Sequence, residues 1–87
     1  MVLQIHAETV PLDAAANGVV LVCGTRVPLD TVVVAFHLGS TPEEIQQQYP
    51  TLQLVDIYAV IAYYLRHQDE VDEYLRQREI QRGIVRA

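Results

Sequence analysis

Lysine and tryptophan are absent from these 87 residues, and cysteine, methionine and phenylalanine occur once each. A single cysteine excludes an internal disulfide framework and a thiolate zinc cluster. Cations are scarce: six arginines face eleven carboxylates, for a net charge of −5. That balance argues against a dedicated nucleic-acid binder, because phosphate neutralisation supplies most non-specific affinity. The longest apolar run, Leu54 to Leu65, contains Asp56 and is too short to span a bilayer. No basic segment leads into an apolar stretch with a small-residue cleavage site, so the expectation is a cytoplasmic protein that neither enters a membrane nor is secreted.

Familiar catalytic patterns are missing as well. There is no glycine-rich phosphate cradle and no nucleophile elbow. His6, His37 and His67 fall on different expected elements without metal-ligand spacing, and His37 reads as a partly buried, satisfied imidazole. Cys23 reads as a small core residue. Asp69, Glu70, Asp72 and Glu73 read as solvated carboxylates that suit the positive end of a helix. The expectation is therefore no enzyme: no catalytic residue, no metal, no cofactor and no small-molecule substrate.

What is present is apolar. The hydrophobic share is 51%, too high for disorder. A chain of this length hides only about 60% of its unfolded surface, so burial barely offsets the ordering of the chain. Self-association is the expected remedy. The charge is also uneven. Residues 1–75 hold Arg26 and Arg66 against ten carboxylates, whereas residues 76–87 hold Arg76, Arg78, Arg82 and Arg86 against Glu79 alone. An acidic body carries a basic tail.

Periodicity predicts the elements. Leu3, Ile5 and Ala7 alternate with Gln4, His6 and Glu8, the pattern of a half-buried strand over residues 3–8. An Ala-rich connector between Pro11 and Asn17-Gly18 precedes a β-branched run from Val19 to Val22. Gly24-Thr25 fits a two-residue hairpin loop, and Pro28 keeps the return strand short or at an edge. Val-Pro-Leu-Asp occurs at residues 10–13 and 27–30, a coincidence of four residues and not a repeat architecture. From Asp30 the period becomes helical, with Asp30 as N-cap for Thr31 to Leu38 and Gly39 as the left-handed stop. Its inward face is expected from Val32 or Val33 with Phe36 and Leu38. Thr41-Pro42-Glu43-Glu44 is a capping box with proline at the first helical position, and Ile45 is the buried residue of that short helix. Pro50 stops it.

Leu54–Arg66 reads as a helix that is apolar nearly all round. Leu54, Ile57, Tyr58, Ile61 and Leu65 form one stripe, and Val60 with Tyr64 a second. So short a chain has little to cover both, and Tyr58, Val60, Ile61, Tyr64 and Leu65 are the expected homodimer interface. A last helix over about Asp69 to Arg82 has a narrow seam of Val71, Tyr74 and Leu75, with Asp72 placed to pair with Arg76. The fold class is mostly α with a small N-terminal β-hairpin region: a helix-turn-helix, winged-helix-like core plus a C-terminal helix. Residues 1–29 form the β region, 30–67 the helix-turn-helix core and 68–87 the C-terminal helix and basic arm, all in one compact domain.

Gly24-Thr25-Arg26-Val27-Pro28, then Gly39-Ser40-Thr41-Pro42-Glu43-Glu44-Ile45, then Tyr49-Pro50, Leu52 and Asp56-Ile57, together resemble the family called domain of unknown function 433. The resemblance covers about half the chain. It implies a helix-turn-helix core and, for many members, kinship with antitoxins encoded beside a PIN-like ribonuclease toxin. The structural positions of the motif are Gly24, Thr25, Arg26, Pro28, Pro42, Glu44 and Pro50. In a DNA-binding version the start of the second helix enters the major groove, where Thr41, Thr51, Gln53 and Tyr58 are the candidates for contact. The sequence departs from the family at Gln53, Val55 and Tyr58, where capping, acidic and polar or basic residues are common. PIN-like nucleases hold metal in a carboxylate cluster, which guanidinium groups can pair with. The toxin-binding arm implied here is Arg76, Arg78, Ile80, Arg82, Ile84, Val85 and Arg86. The reading is a homodimeric antitoxin-like protein; the alternatives are a helix-turn-helix (auto)regulator bound to operator DNA and a dimeric scaffold with neither partner.

Overall fold

The computed structural model describes residues 2–15, 17–81 and 83. At its middle the capping box forms as predicted. The Thr41 hydroxyl accepts from the Glu44 N–H at 3.1 Å, and the Glu44 carboxylate accepts from the Thr41 N–H at 2.8 Å. Pro42 takes the first helical position of α2, Pro42–Gln48, which follows α1, Leu29–His37. A cap of this kind stabilises by about 1 kcal/mol. Pro50 forbids helical geometry at Tyr49, which sits at φ −128°, ψ 78° and ends α2. After the turn through Gln53 the chain enters α3, Leu54–Arg66, over the predicted residues. The last helix, α4, is Gln68–Gln81. The fold is mostly helical, as expected, with α3 packed against α1, α2 and α4.

The core runs through all of these. Val22, Val32, Val33, Ile45, Leu52, Ile57 and Val60 are fully buried, with Leu29, Tyr64 and Val71 nearly so. On α1 both Val32 and Val33 face inward, and Phe36 packs beside them. Leu38 does not: it is 80% exposed. It occupies the C-cap, where the chain turns away from the core. Gly39, at φ 90°, donates to the Phe36 carbonyl, and Ser40 donates to that of Ala35. These two bonds satisfy the last carbonyls of the helix and reverse its direction.

The other end of α1 corrects the sequence reading. Pro28 is the N-cap and supplies no side-chain bond. Asp30 instead lies inside the first turn, buried, where it accepts from Arg78 Nε at 3.0 Å. A carboxylate is favourable anywhere in the first turn, so the local signal could not separate the cap from the turn.

The β region is also redistributed. Residues 3–8 form no strand; residues 2–9 are exposed and outside any ladder. Alternation needs a neighbour to pair with, and none lies alongside. The hairpin is built from β1, Leu12–Ala14, and β2, Val20–Val22, antiparallel with Leu12 opposite Val22. Its turn is the Asn17-Gly18 segment, closed by Ala15 N–H to Val19 O at 2.7 Å. The Gly24-Thr25 turn is longer than predicted, since Val22 N–H reaches Val27 O across four residues. Thr25 braces it, its hydroxyl donating to Val22 O and accepting from Val27 N–H. Beyond it the chain returns only as the bridge Leu21–Pro28, the edge position a proline tolerates. The two Val-Pro-Leu-Asp copies thus lead into a strand and into a helix.

Three polar contacts dock α4 on the rest. Val20 N–H donates to the Tyr74 hydroxyl at 2.8 Å, Arg78 meets Asp30, and the Tyr64 hydroxyl donates to Asp72 at 2.8 Å. The predicted Asp72–Arg76 pair is therefore absent. Asp72 is turned to Tyr64, and Arg76 binds Glu73 through Nε and Nη2 at 3.0 and 2.9 Å.

Candidate functional site

The helical period distributes α3 between two surroundings. Ile57, Val60 and Tyr64 point into the core. Val55, Tyr58, Ala62 and Leu65, spaced by three, four and three residues, share the opposite face and are exposed, Val55 by 68% and Leu65 by 50%. Of the expected interface, Tyr58 and Leu65 lie on this face and Ile61 is half-buried at its border. Val60 and Tyr64 do not belong to it: both are buried in the core, Tyr64 against Phe36 and His37 of α1 and bonded to Asp72 of α4. Val55 and Ala62 stand on the exposed face instead.

One end of the face is acidic. The Tyr58 hydroxyl donates to Glu43 at 2.6 Å, tying α3 to α2. This bond holds the Glu43 carboxyl below its ordinary range and pushes the Tyr58 phenol up. A depressed carboxylate keeps its contribution above the ordinary carboxylate pKa and loses it as pH falls through the folded value. NMR titration is accordingly expected to find Glu43 ionising below its ordinary range, and Tyr58→Phe to raise it toward that range, the backbone hydrogen bond keeping part of the shift. An unshifted Glu43 in the parent chain would contradict the bond. Of the other candidate contacts, Thr51 and Gln53 are exposed, and the Gln53 side chain makes no cap bond. Thr41 is occupied by its capping box. No arginine occurs from residue 27 to residue 65.

The basic segment separates into unlike parts. Arg76 is exposed but held by Glu73, whose carboxyl is lowered to about 2 by the arginine's hydrogen bonds, with help from Gln77. Arg78 is folded beneath α1 on Asp30, with 18% of its side chain exposed. Ile80 is half-buried. Arg82, Ile84, Val85 and Arg86 lie outside the described residues. In the turn motif Gly24 adopts φ 75°, and Arg26 is exposed. Cys23 is half-buried, and the hydrogen bond with Asp13 pushes its thiol pKa up, away from reactivity.

Sequence reasoning missed one constellation. His37 Nε2 lies 2.8 Å from the Tyr64 hydroxyl that donates to Asp72, so α1, α3 and α4 meet in one polar chain. The aromatic rings of Phe36 and His37 both meet Tyr64 edge-on, at 6.2 and 5.3 Å. His37 is exposed yet satisfied. Only long-range packing brings these residues together, and no spacing in the sequence announces it. Among the described residues no group of three His, Cys, Asp or Glu side chains could hold a metal, and no helix is long and apolar enough to cross a membrane.

The geometry is that of a mostly helical protein in which α2 and α3 form the helix-turn-helix and α3 carries an exposed apolar face. Residues 13–64 match the model of the family described as Protein of unknown function (DUF433), and the chain belongs to that family. No curated protein and no solved structure matches. The matched segment runs from β1 through most of α3, so α4 and its three docking contacts reach in from outside it.

Proposed function

We propose that this chain is a non-enzymatic binding module that acts as a homodimer and neutralises a PIN-like ribonuclease. The observation that carries the reading is the apolar face of α3, where Val55, Tyr58, Ala62 and Leu65 are all exposed. Exposed apolar residues in a contiguous stripe mark contact with another macromolecule more often than a small-molecule site. In this reading the α3 faces of two copies meet, and the basic end of the chain reaches the carboxylates that hold metal in the nuclease. Arg78 anchors α4 through Asp30 and is not the contacting group. That task falls to Arg82 and Arg86, flanked by Ile84 and Val85, since guanidinium pairs bidentately with carboxylate.

Operator binding finds less support. The head of α3 offers Gln53, Val55 and Tyr58 beside the Glu43 carboxylate, with no cation for phosphate.

Co-expression with the product of the neighbouring gene, which the proposal requires to be a carboxylate-rich nuclease, tests it. The informative truncation falls after Gln81, because a shorter chain loses Arg78 and with it the anchor of α4. Truncation there is expected to abolish co-purification and release the nuclease activity while the circular dichroism spectrum persists. Undiminished complex formation removes residues 82–87 from the mechanism.

A further inference from the structure

The two-stranded sheet has unequal edges. On β2 the outward amides are satisfied: Val20 N–H by the Tyr74 hydroxyl and Val22 N–H by the Val27 carbonyl. On β1, residues 11, 13 and 15 face β2, as the bonds Cys23 N–H to Pro11 O and Ala15 N–H to Val19 O require. Leu12 and Ala14 therefore turn their free carbonyls, and Ala14 its N–H, to the open side, where no described residue pairs with them.

Directly before this edge runs a segment with the pattern of a strand and no sheet to join. Leu3, Ile5 and Ala7 alternate with Gln4, His6 and Glu8, and Leu3 and Ile5 are 84% and 90% exposed. It does not fold back on its own β1. The first amide of that edge, Leu12 N–H, is already given to Val10 O at 2.9 Å, and Pro11 fixes the departing direction.

We propose that residues 2–8 of one copy add as a third strand to the open edge of β1 in a second copy. The addition would supply the missing partners for Leu12 and Ala14. It would also place Leu3 and Ile5 over a hollow of about 360 Å³ lined by Leu12, Ala14, Val20, Tyr63, Val71 and Tyr74. Residues 2–8 can reach about 23 Å at strand rise. The root of the segment, Glu8 to Val10, borders Ala62 and Arg66 of α3, so the exchange continues the face already assigned to the dimer. The area suffices. The chain exposes 6469 Å², about 1,300 Å² more than a compact monomer of its mass. A standard interface takes about 800 Å² from each partner.

This proposal rests on the homodimer reading and not on any nuclease. Sedimentation equilibrium of the whole chain, of a chain lacking residues 2–8 and of the double variant Leu3→Asp/Ile5→Asp tests it. Both changes are expected to raise the dimer dissociation constant by about a hundredfold with an unchanged circular dichroism spectrum. Tyr58→Asp/Leu65→Asp is the parallel variant on α3. If that variant dissociates the dimer and removal of residues 2–8 does not, the homodimer stands and strand exchange is overturned. If only the changes in residues 2–8 dissociate it, exchange stands and the α3 contact falls. Mixed Ile5→Cys and Ala14→Cys chains, both carrying Cys23→Ser, are expected to crosslink across copies on mild oxidation. A doubly substituted chain that closes only on itself, or a monomeric parent chain, overturns the proposal.

Discussion

Arg78→Ala is expected to lower the free energy of unfolding by about 3 kcal/mol, the largest polar effect expected among the described residues. Asp30 is 6% exposed and Arg78 keeps 18% of its side chain in water. Removing the cation takes from a carboxylate in the core a charge that helps to offset its desolvation. Breaking such a pair typically costs 3–5 kcal/mol, and the partial exposure of Arg78 argues for the lower end. The converse change, Asp30→Ala, is milder, because the long guanidinium can swing out to solvent. The double variant should recover much of the loss, since the two effects share one interaction. Urea unfolding of the four chains measures the cycle. A loss below about 0.5 kcal/mol in Arg78→Ala, the range of an ordinary surface substitution, would show that the contact does not hold α4 down.

Ile45→Ala carries the second large effect, about 3–4 kcal/mol. Ile45 is fully buried and is the one core residue of α2, a helix of seven residues. A helix that short does not persist in water on its own. It is held by its capping box and by this side chain, lodged with Leu52 and Ile57 against α3. Truncation leaves a cavity where the helix is least able to collapse around it. Hydrogen exchange should therefore accelerate in α2 before it does in α1. Ile45→Val, with one methylene removed, is expected to lose only about 1 kcal/mol. Equal protection of α2 in Ile45→Ala and the parent chain would sink the argument.

The contrast between these residues explains what the sequence disclosed. Thr41, Pro42 and Glu44 act on one another within a single turn, so their geometry was readable from spacing alone. The bounds of α3 were readable for a similar reason, being set by Pro50 on one side and a long apolar run on the other. Asp30 and Arg78 are 48 residues apart, and nothing local distinguished a capping aspartate from one reserved for a distant arginine. Residues 3–8 failed in the opposite way, with a clear strand pattern and no strand beside it. Among the interface candidates, the two apolar stripes read on α3 do not coincide with its faces. Ile57 of the first is buried with Val60 and Tyr64 of the second, Tyr58 and Leu65 of the first are exposed, and exposed Val55 belongs to neither.

The polar chain through Tyr64 also fixes something too small for any spacing to specify. A phenol has one hydrogen, and here Asp72 receives it. Desolvation and the same carboxylate raise the Tyr64 pKa, so that hydrogen stays in place near neutrality. The oxygen can then only accept from His37, which obliges the neutral imidazole to carry its hydrogen on Nε2 and turn the bare lone pair of Nδ1 elsewhere. A carboxylate on α4 thereby selects the tautomer of a ring on α1.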